Sequence, residues 1–118
     1  MKVNIKPLSV NQCYRGRRFK TKEYNQYEKD VMAQLPTLII PGGELELHIQ
    51  AGFSNKGADI DNIAKTFIDI LQKAYCFNDN RIYQLHLYKK IVPKGEEYIS
   101  FDLFSCINDE ARLGHTEK

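Results

Sequence analysis

The sequence has no long apolar run and no cysteine pattern of the kind that binds metals or builds disulfide frameworks. No stretch approaches the ~18 consecutive apolar residues of a membrane-spanning helix, and no signal peptide opens the chain. The three cysteines, Cys13, Cys76 and Cys106, are odd in number and form no Cys-x-x-Cys pair. We therefore expect reduced thiols in a cytoplasmic protein without membrane contact, and the cysteines argue against a zinc site.

Acidic residues are absent from the first 22 positions, where basic residues are concentrated instead. Seven of the 17 Lys and Arg residues lie there: Lys2, Lys6, Arg15, Arg17, Arg18, Lys20 and Lys22. The net charge of the whole chain is only +2, so the concentration of basic residues in one segment is a better indication of an anionic partner than the net charge is. The run from Arg15 to Lys20 predicts a loop that grips phosphate oxygens with guanidinium groups. The alternative is a solvated loop that balances acidic residues elsewhere.

Hydrophobic periodicity predicts a single α+β domain over residues 1–118, with one mixed sheet, two main helices and the order β-α-β-α-β-β. The predicted strands are Lys2–Lys6, Glu44–Phe53, Arg81–Val92 and Glu97–Ser105, and the predicted helices are Lys22–Leu35 and Asn62–Tyr75. Pro93-Lys94-Gly95 suits a β-hairpin connection between the last two strands.

Residues 108–118 are polar and predict a flexible tail. His48 and His86 fall on different strands without a ligand spacing, which predicts ordinary histidines.

Two aspartates, Asp59 and Asp61, stand between a glycine-bearing loop and a run with helical periodicity. The apolar positions of that run are Ile60, Ile63, Ala64, Phe67, Ile70, Leu71 and Ala74. Asp61, Lys65 and Asp69 fall four apart on another face, so Lys65 stands one turn beyond Asp61. Asp79 follows in a polar loop after the helix. Three carboxylates and a lysine around one helix are the groups that Mg²⁺-dependent phosphodiester hydrolysis requires.

A structural role for each of these residues is the alternative. Asp59 or Asp61 would then cap the helix by accepting backbone N–H bonds and complementing its dipole. Asp79 would be a turn residue, and Lys65 would be a solvated partner of Asp61.

The same residues resemble the signature of the RusA-type Holliday junction resolvases. The similar segments are Asp59-Ile-Asp61-Asn62-Ile-Ala-Lys65, then Asp69, then Asn78-Asp79-Asn-Arg-Ile82, with Pro7-Leu-Ser9-Val-Asn11 near the start. Asn78 stands where that family often has the first of two aspartates, whereas Asp79 occupies the position that the family uses catalytically. Val10 and Gln12 stand where a second Pro or Asn is usual.

The resemblance implies an endodeoxyribonuclease that resolves four-way DNA junctions by paired nicks in recombination and repair. It implies Asp59, Asp61 and Asp79 as ligands of Mg²⁺, with Mn²⁺ as a substitute and no small-molecule cofactor. Lys65 would act on the phosphate, and Asp69 would position Lys65. Residues expected to contact DNA are Asn11, Arg15, Arg17, Arg18 and Lys20. The alternative function is a non-catalytic nucleic-acid-binding accessory protein, in which the aspartates only cap the helix and balance the basic loop.

The length of the second helix separates the candidate metal ligands. A helix over Asn62–Tyr75 puts its ends ~20 Å apart, with Asp59 and Asp61 at one end and Asp79 beyond the other. Magnesium needs its oxygens within ~2.0–2.1 Å of one point. Unless the loop doubles back, the three meet only across subunits, so we predict a homodimer whose active site is shared between its two chains.

Overall fold

The computed structural model describes residues 1–8, 14–15 and 19–106, with side chains described in 1–8 and 21–106. The strands are β1 (Lys2–Val3), β2 (Tyr14–Arg15), β3 (Phe19–Lys20), β4 (Leu45–Phe53), β5 (Ile82–Ile91) and β6 (Tyr98–Ser105). The helices are α1 (Lys22–Gln34) and α2 (Ile60–Tyr75), and a short 3₁₀ turn spans Asp79–Arg81. The α+β class, the single mixed sheet and the predicted element order are confirmed. The pair β2–β3 is a small addition where the sequence predicted a loop.

The main sheet has four strands in the order β1-β6-β4-β5. β4 pairs in parallel with β5 and antiparallel with β6, and β1 pairs antiparallel with β6. The parallel pairing of β4 with β5 follows from α2, because a strand that returns in the same direction needs a crossover of this length. The long central strand β4 therefore has a neighbour on each side.

The predicted β-hairpin between the last two strands is wrong. Gly95 does adopt a positive φ of 94° in the connection, and the N–H of Glu96 donates to the carbonyl oxygen of Pro93 at 3.0 Å. The turn is therefore present, but β5 and β6 lie on opposite sides of β4. We attribute this arrangement to β4, whose backbone is almost wholly buried and needs hydrogen-bond partners on both edges.

The first strand is shorter than predicted. The sequence predicted a strand through Lys6, whereas β1 ends at Val3. At Asn4 the backbone leaves the sheet, because the N–H and the carbonyl group of Asn4 both form hydrogen bonds with the side chain of Gln34. The N–H of Asn4 donates to Gln34 Oε1 at 2.9 Å, and Gln34 Nε2 donates to the Asn4 carbonyl oxygen at 3.0 Å.

One hydrophobic core joins both helices to one face of β4. The inward side chains of β4 are Leu45, Leu47, Ile49, Ala51 and Phe53, in the predicted alternation. α2 contributes Ile63, Ala64, Phe67, Ile70 and Leu71, and α1 contributes Tyr24, Tyr27 and Val31. Burial of this apolar stripe stabilises α2 more than helix propensity does. The side chains on the other face of β4 are Glu46, His48 and Gln50. They lie beside the half-exposed side chains of Tyr88 and Phe104 on the neighbouring strands.

The ends of both helices follow from local sequence. Thr21 caps α1, since its hydroxyl oxygen accepts the N–H of Tyr24 at 3.1 Å, and the chain leaves the helix just before Pro36. α2 ends at Cys76, which adopts the left-handed conformation with φ 55°. No helix in the described part of the chain is both long and apolar enough to cross a membrane.

Candidate active site

The loop that precedes the two aspartates is held against the end of the sheet. Lys89 Nζ donates to the carbonyl oxygens of Lys56 at 2.7 Å and of Ala58 at 2.5 Å. Asn55 Oδ1 accepts the N–H of Gly57 at 2.9 Å, which closes the turn from within. Lys89 lies on β5, so the sheet itself positions the residue that directly precedes Asp59.

Asp59 and Asp61 lie at the N-terminus of α2, where the helix dipole favours negative charge. Asp59 occupies the N-cap position, but its side chain makes no capping hydrogen bond. Asp61 Oδ1 accepts the N–H of its neighbour Asn62, at 3.0 Å. Both residues are exposed. Capping therefore does not account for Asp59, whose carboxylate is available for another partner.

Asp59 faces an open cleft of about 360 Å³ between α2, the preceding loop and the start of β6. Its lining includes Lys6, Ser54, Asn62 and Glu97. Ser54 Oγ donates to Glu97 Oε2 at 2.7 Å, and the Gly95 N–H donates to Glu97 Oε1 at 2.9 Å. These hydrogen bonds, that of Ser54 first, lower the pKa of the Glu97 carboxyl and keep it ionised. The cleft thus combines carboxylates with a lysine, as a site for a cation and a phosphate requires.

Asp79 lies beyond the other end of α2. Asn78, not Asp79, caps the 3₁₀ turn, because Asn78 Oδ1 accepts the N–H of Asn80 at 2.9 Å. The backbone N–H of Asp79 donates to Gln72 Oε1 at 2.8 Å, and Gln72 Nε2 donates to Asp69 Oδ1 at 3.4 Å. Gln72 therefore links Asp69 to the backbone of Asp79.

Lys65 is exposed on α2 and forms no ion pair with any residue in the described ranges. The alternative in which Lys65 is simply the salt-bridge partner of Asp61 is therefore not realised. The positioning of Lys65 by Asp69 stays a prediction, and one contact of Asp69 is the hydrogen bond that it accepts from Gln72.

The two groups of aspartates are far apart within one chain. α2 has 16 residues and is about 24 Å long at 1.5 Å per residue. Asp79 is bonded to Gln72, three turns along the helix from Asp61, or about 16 Å. Among the described residues, Asp59, Asp61 and Asp79 do not form a group with ligand atoms within 4.8 Å of one another. In the described part of the chain, the three carboxylates therefore do not converge on one point.

The predicted DNA-contacting residues lie in or beside the part of the chain without described structure. Asn11, Arg17 and Arg18 fall outside the described residues. Arg15 and Lys20 are described in backbone only, on β2 and β3, where Arg15 pairs with Phe19 and Tyr14 with Lys20. The interpretation of these five residues stays a prediction, as does that of the tail at 108–118.

Sequence reasoning did not find Gln72, Lys89 or Glu97. Each acts through a contact between residues distant in the sequence or on different elements, and no spacing rule relates such pairs. Only for Gln72 was there a signal, since it stands three residues after Asp69 on the same helix, where side chains meet.

Residues 6–99 match the family model described as endodeoxyribonuclease RusA. The matched range contains both aspartate groups, Lys65 and the basic segment. No curated protein matches the chain.

Proposed function

Because the chain belongs to the RusA endodeoxyribonuclease family, we propose that it is a Mg²⁺-dependent enzyme that resolves four-way DNA junctions by paired nicks. This activity would serve DNA recombination and repair. The observation that carries the proposal is the exposed pair Asp59 and Asp61 at the start of α2, where Asp59 lines a cleft and its carboxylate is not used in capping.

The donor set of the aspartates fits a hard cation. Asp59, Asp61 and Asp79 offer only carboxylate oxygens, all three residues are exposed, and oxygen ligands are those that Mg²⁺ and Mn²⁺ prefer. These three residues would hold the ion. When bound, Mg²⁺ supplies a Lewis acid that activates a water and neutralises charge on the scissile phosphate.

The remaining residues orient the reacting groups. Lys65, one turn from Asp61 and without an ion-pair partner in the described chain, would place its ammonium on the phosphate oxygens or on the leaving group. Gln72 would hold the backbone of Asp79, and Asp69 would hold the amide of Gln72. Lys89 would fix the carbonyl groups that lead into Asp59.

A homodimer would bring the two aspartate groups together. If two copies of α2 run antiparallel, Asp79 of one subunit lies beside Asp59 and Asp61 of the other, which gives two sites for two nicks. The edge strand β5 supports association, because it exposes Tyr83, Leu85, Tyr88 and Ile91 to solvent. Apolar residues exposed along an unpaired strand edge are a feature that native proteins usually cover.

The basic segment near the N-terminus would bind the junction through its phosphates. Replacing Arg15, Arg17 and Arg18 together with Ala should weaken junction binding and flatten its dependence on salt, since fewer counterions are released. A triple variant with an unaltered salt slope would remove this segment from the DNA interface.

The decisive experiment is cleavage of a synthetic four-way junction beside a linear duplex of the same sequence, with and without Mg²⁺. We expect paired nicks in the junction only, and only with Mg²⁺ or Mn²⁺. A protein that binds the junction but cuts neither DNA with either ion would instead be a non-catalytic binding protein. Equal cleavage of both DNAs would contradict junction specificity.

A further inference from the structure

A second group of ligand-type side chains lies on the sheet, away from the aspartates. Glu46 and His48 on β4 and His86 on β5 bring their ligand atoms within 4.8 Å of one another. Within the described ranges this is the one trio of His, Cys, Asp or Glu side chains that meets that distance. We call it the Glu46–His48–His86 cluster.

Strand pairing explains why the three side chains meet. His48 and His86 are direct neighbours in the parallel ladder of β4 and β5. Glu46 precedes His48 by two residues, so both point to the same face of the sheet. That face is opposite to the one on which Leu45, Leu47 and Ile49 contribute to the core shared with the helices.

The geometry inside the cluster is convergent. His48 Nε2 lies 2.6 Å from Glu46 Oε2, and His86 Nε2 lies 3.5 Å from the same oxygen. The two imidazole rings are stacked, with centroids 4.2 Å apart and planes inclined by 12°. Both histidines thus direct the same ring nitrogen toward one carboxylate, which is itself only 8% exposed.

A hydrogen-bonded carboxylate alone does not account for this arrangement. His48 Nε2 is within hydrogen-bond distance of Glu46, but His86 Nε2 is buried and has no hydrogen-bond partner among the described residues. A buried nitrogen without a partner is costly. A cation held between the three side chains would use the lone pairs of both nitrogens and the charge of the carboxylate at once.

We propose that the Glu46–His48–His86 cluster binds one divalent transition-metal ion per chain, with Zn²⁺ as the probe that fits best. Two imidazoles and a carboxylate are a common zinc ligand set, and three protein ligands leave a position open to water. Imidazole nitrogens suit Zn²⁺, Ni²⁺ and Co²⁺, whereas Mg²⁺ prefers oxygen. The cluster is therefore a site distinct from the aspartates in both place and metal preference.

The chain offers matched variants for a test. Full-length protein without a polyhistidine tag would be freed of metal with a chelator and titrated with Zn²⁺ in competition with a chromophoric chelator. The wild-type chain should bind one equivalent, and His86→Gln or Glu46→Gln should weaken that binding by at least about tenfold. His115→Gln, which removes the third histidine of the chain, and Cys76→Ser with Cys106→Ser should bind as the wild type does.

Asp59→Asn separates this proposal from the proposed nuclease. It should bind Zn²⁺ like the wild type even if it cuts no DNA, because the cluster does not include the aspartate. Absence of Zn²⁺ binding by the wild type, unchanged binding by His86→Gln, or loss of binding in the cysteine variants would each overturn the metal site.

A measurement on the unmutated chain protects the test against variants that fail to fold. In an NMR titration with Zn²⁺, the ring resonances of two of the three histidines should shift with the first equivalent. Shifts of His115 alone, or of none, would contradict the proposal.

Discussion

The two candidate metal-ligand sets are carried by different kinds of secondary structure, and this decides whether their members meet. Glu46 and His86 are distant in the sequence, yet adjacent strands in register place them side by side. Asp61 and Asp79 are much closer in the sequence, yet α2 holds them apart by most of its length. Sequence separation is therefore a poor guide to whether ligands converge.

The two sets of candidate ligands also differ in how far apart the backbone holds their side chains. Neighbouring strands lie about 4.8 Å apart, so side chains at paired positions on one face are close enough to bind the same ion. A helix rises 1.5 Å per residue, so groups at its two ends stay far apart within one chain. The ligand atoms of the Glu46–His48–His86 cluster already converge within one chain, whereas Asp59, Asp61 and Asp79 would meet only in the proposed dimer.

The largest loss of junction cleavage should follow the replacement of one of the three candidate metal-binding aspartates. Binding of Zn²⁺ by the Glu46–His48–His86 cluster should not change. Asp59→Asn, Asp61→Asn and Asp79→Asn should each reduce junction cleavage by at least about a hundredfold, because the amide keeps the shape but removes the charge that holds Mg²⁺. Initial rates at low Mg²⁺ measure this effect, and band shifts should show junction binding retained. Asp30→Asn, an exposed aspartate on α1, is the matched control. Full activity in any of the three variants would remove that residue from the metal site.

Mixing defective subunits tests whether the two ends of α2 meet across a dimer. A mixture of the Asp59→Asn and Asp79→Asn variants should recover nicking activity. In each heterodimer, one active site then contains both substituted residues and the other contains neither. With random exchange, about a quarter of all sites are wild type, which sets the expected recovery.

The matched control is a mixture of Asp59→Asn with Asp61→Asn. These two residues lie on the same side of a shared site, so each heterodimer keeps one defect in each site and recovers nothing. A first mixture as inactive as its parents would end the shared-site proposal.

Gln72 should have an intermediate effect, confined to the Asp79 end of the helix. Gln72→Ala removes the side chain that bonds the backbone N–H of Asp79, and we expect about tenfold slower cleavage with more Mg²⁺ required. Gln26→Ala is the control, since Gln26 also bonds an aspartate on its own helix, at Asp30. Equal rates for the two variants would show that Gln72 does not position Asp79.

The last prediction concerns a small change in fold stability at the cleft beside Asp59. Glu97 has a lowered pKa, mainly through the hydroxyl of Ser54, so its ionised form stabilises the fold above the unfolded pKa. This contribution is lost as the pH falls through the folded pKa, in the acid range below about pH 5.

Ser54→Ala should therefore be slightly less stable than the wild type near neutral pH, and the difference should shrink on acidification. Thermal melts across that range measure it. Ser100→Ala on β6 should show a difference that does not change with pH, and the same pH-independent difference for Ser54→Ala would refute the role of its hydroxyl.

Several elements were predictable because their causes are local. Thr21 and Pro36 mark the ends of α1, and the alternation from Leu45 to Phe53 marks the central strand. The turn at Gly95 was also predictable. The pairing of β5 was not, because β5 lies beside a strand on the far side of α2 in the sequence and no local signal selects that neighbour.

The amino-acid sequence is sufficient to recognise the two aspartates before a helix, the lysine one turn later, the basic segment and the family to which the chain belongs. Local hydrogen bonding and hydrophobic periodicity act over a few residues, so they can be read from neighbours in the chain. The three-dimensional fold is needed to show that Asp59 is not used as a cap, that Gln72 bonds the backbone of Asp79, and that His48 and His86 both lie beside Glu46. Such contacts depend on strand register and helix length in three dimensions, which join residues that no sequence spacing relates.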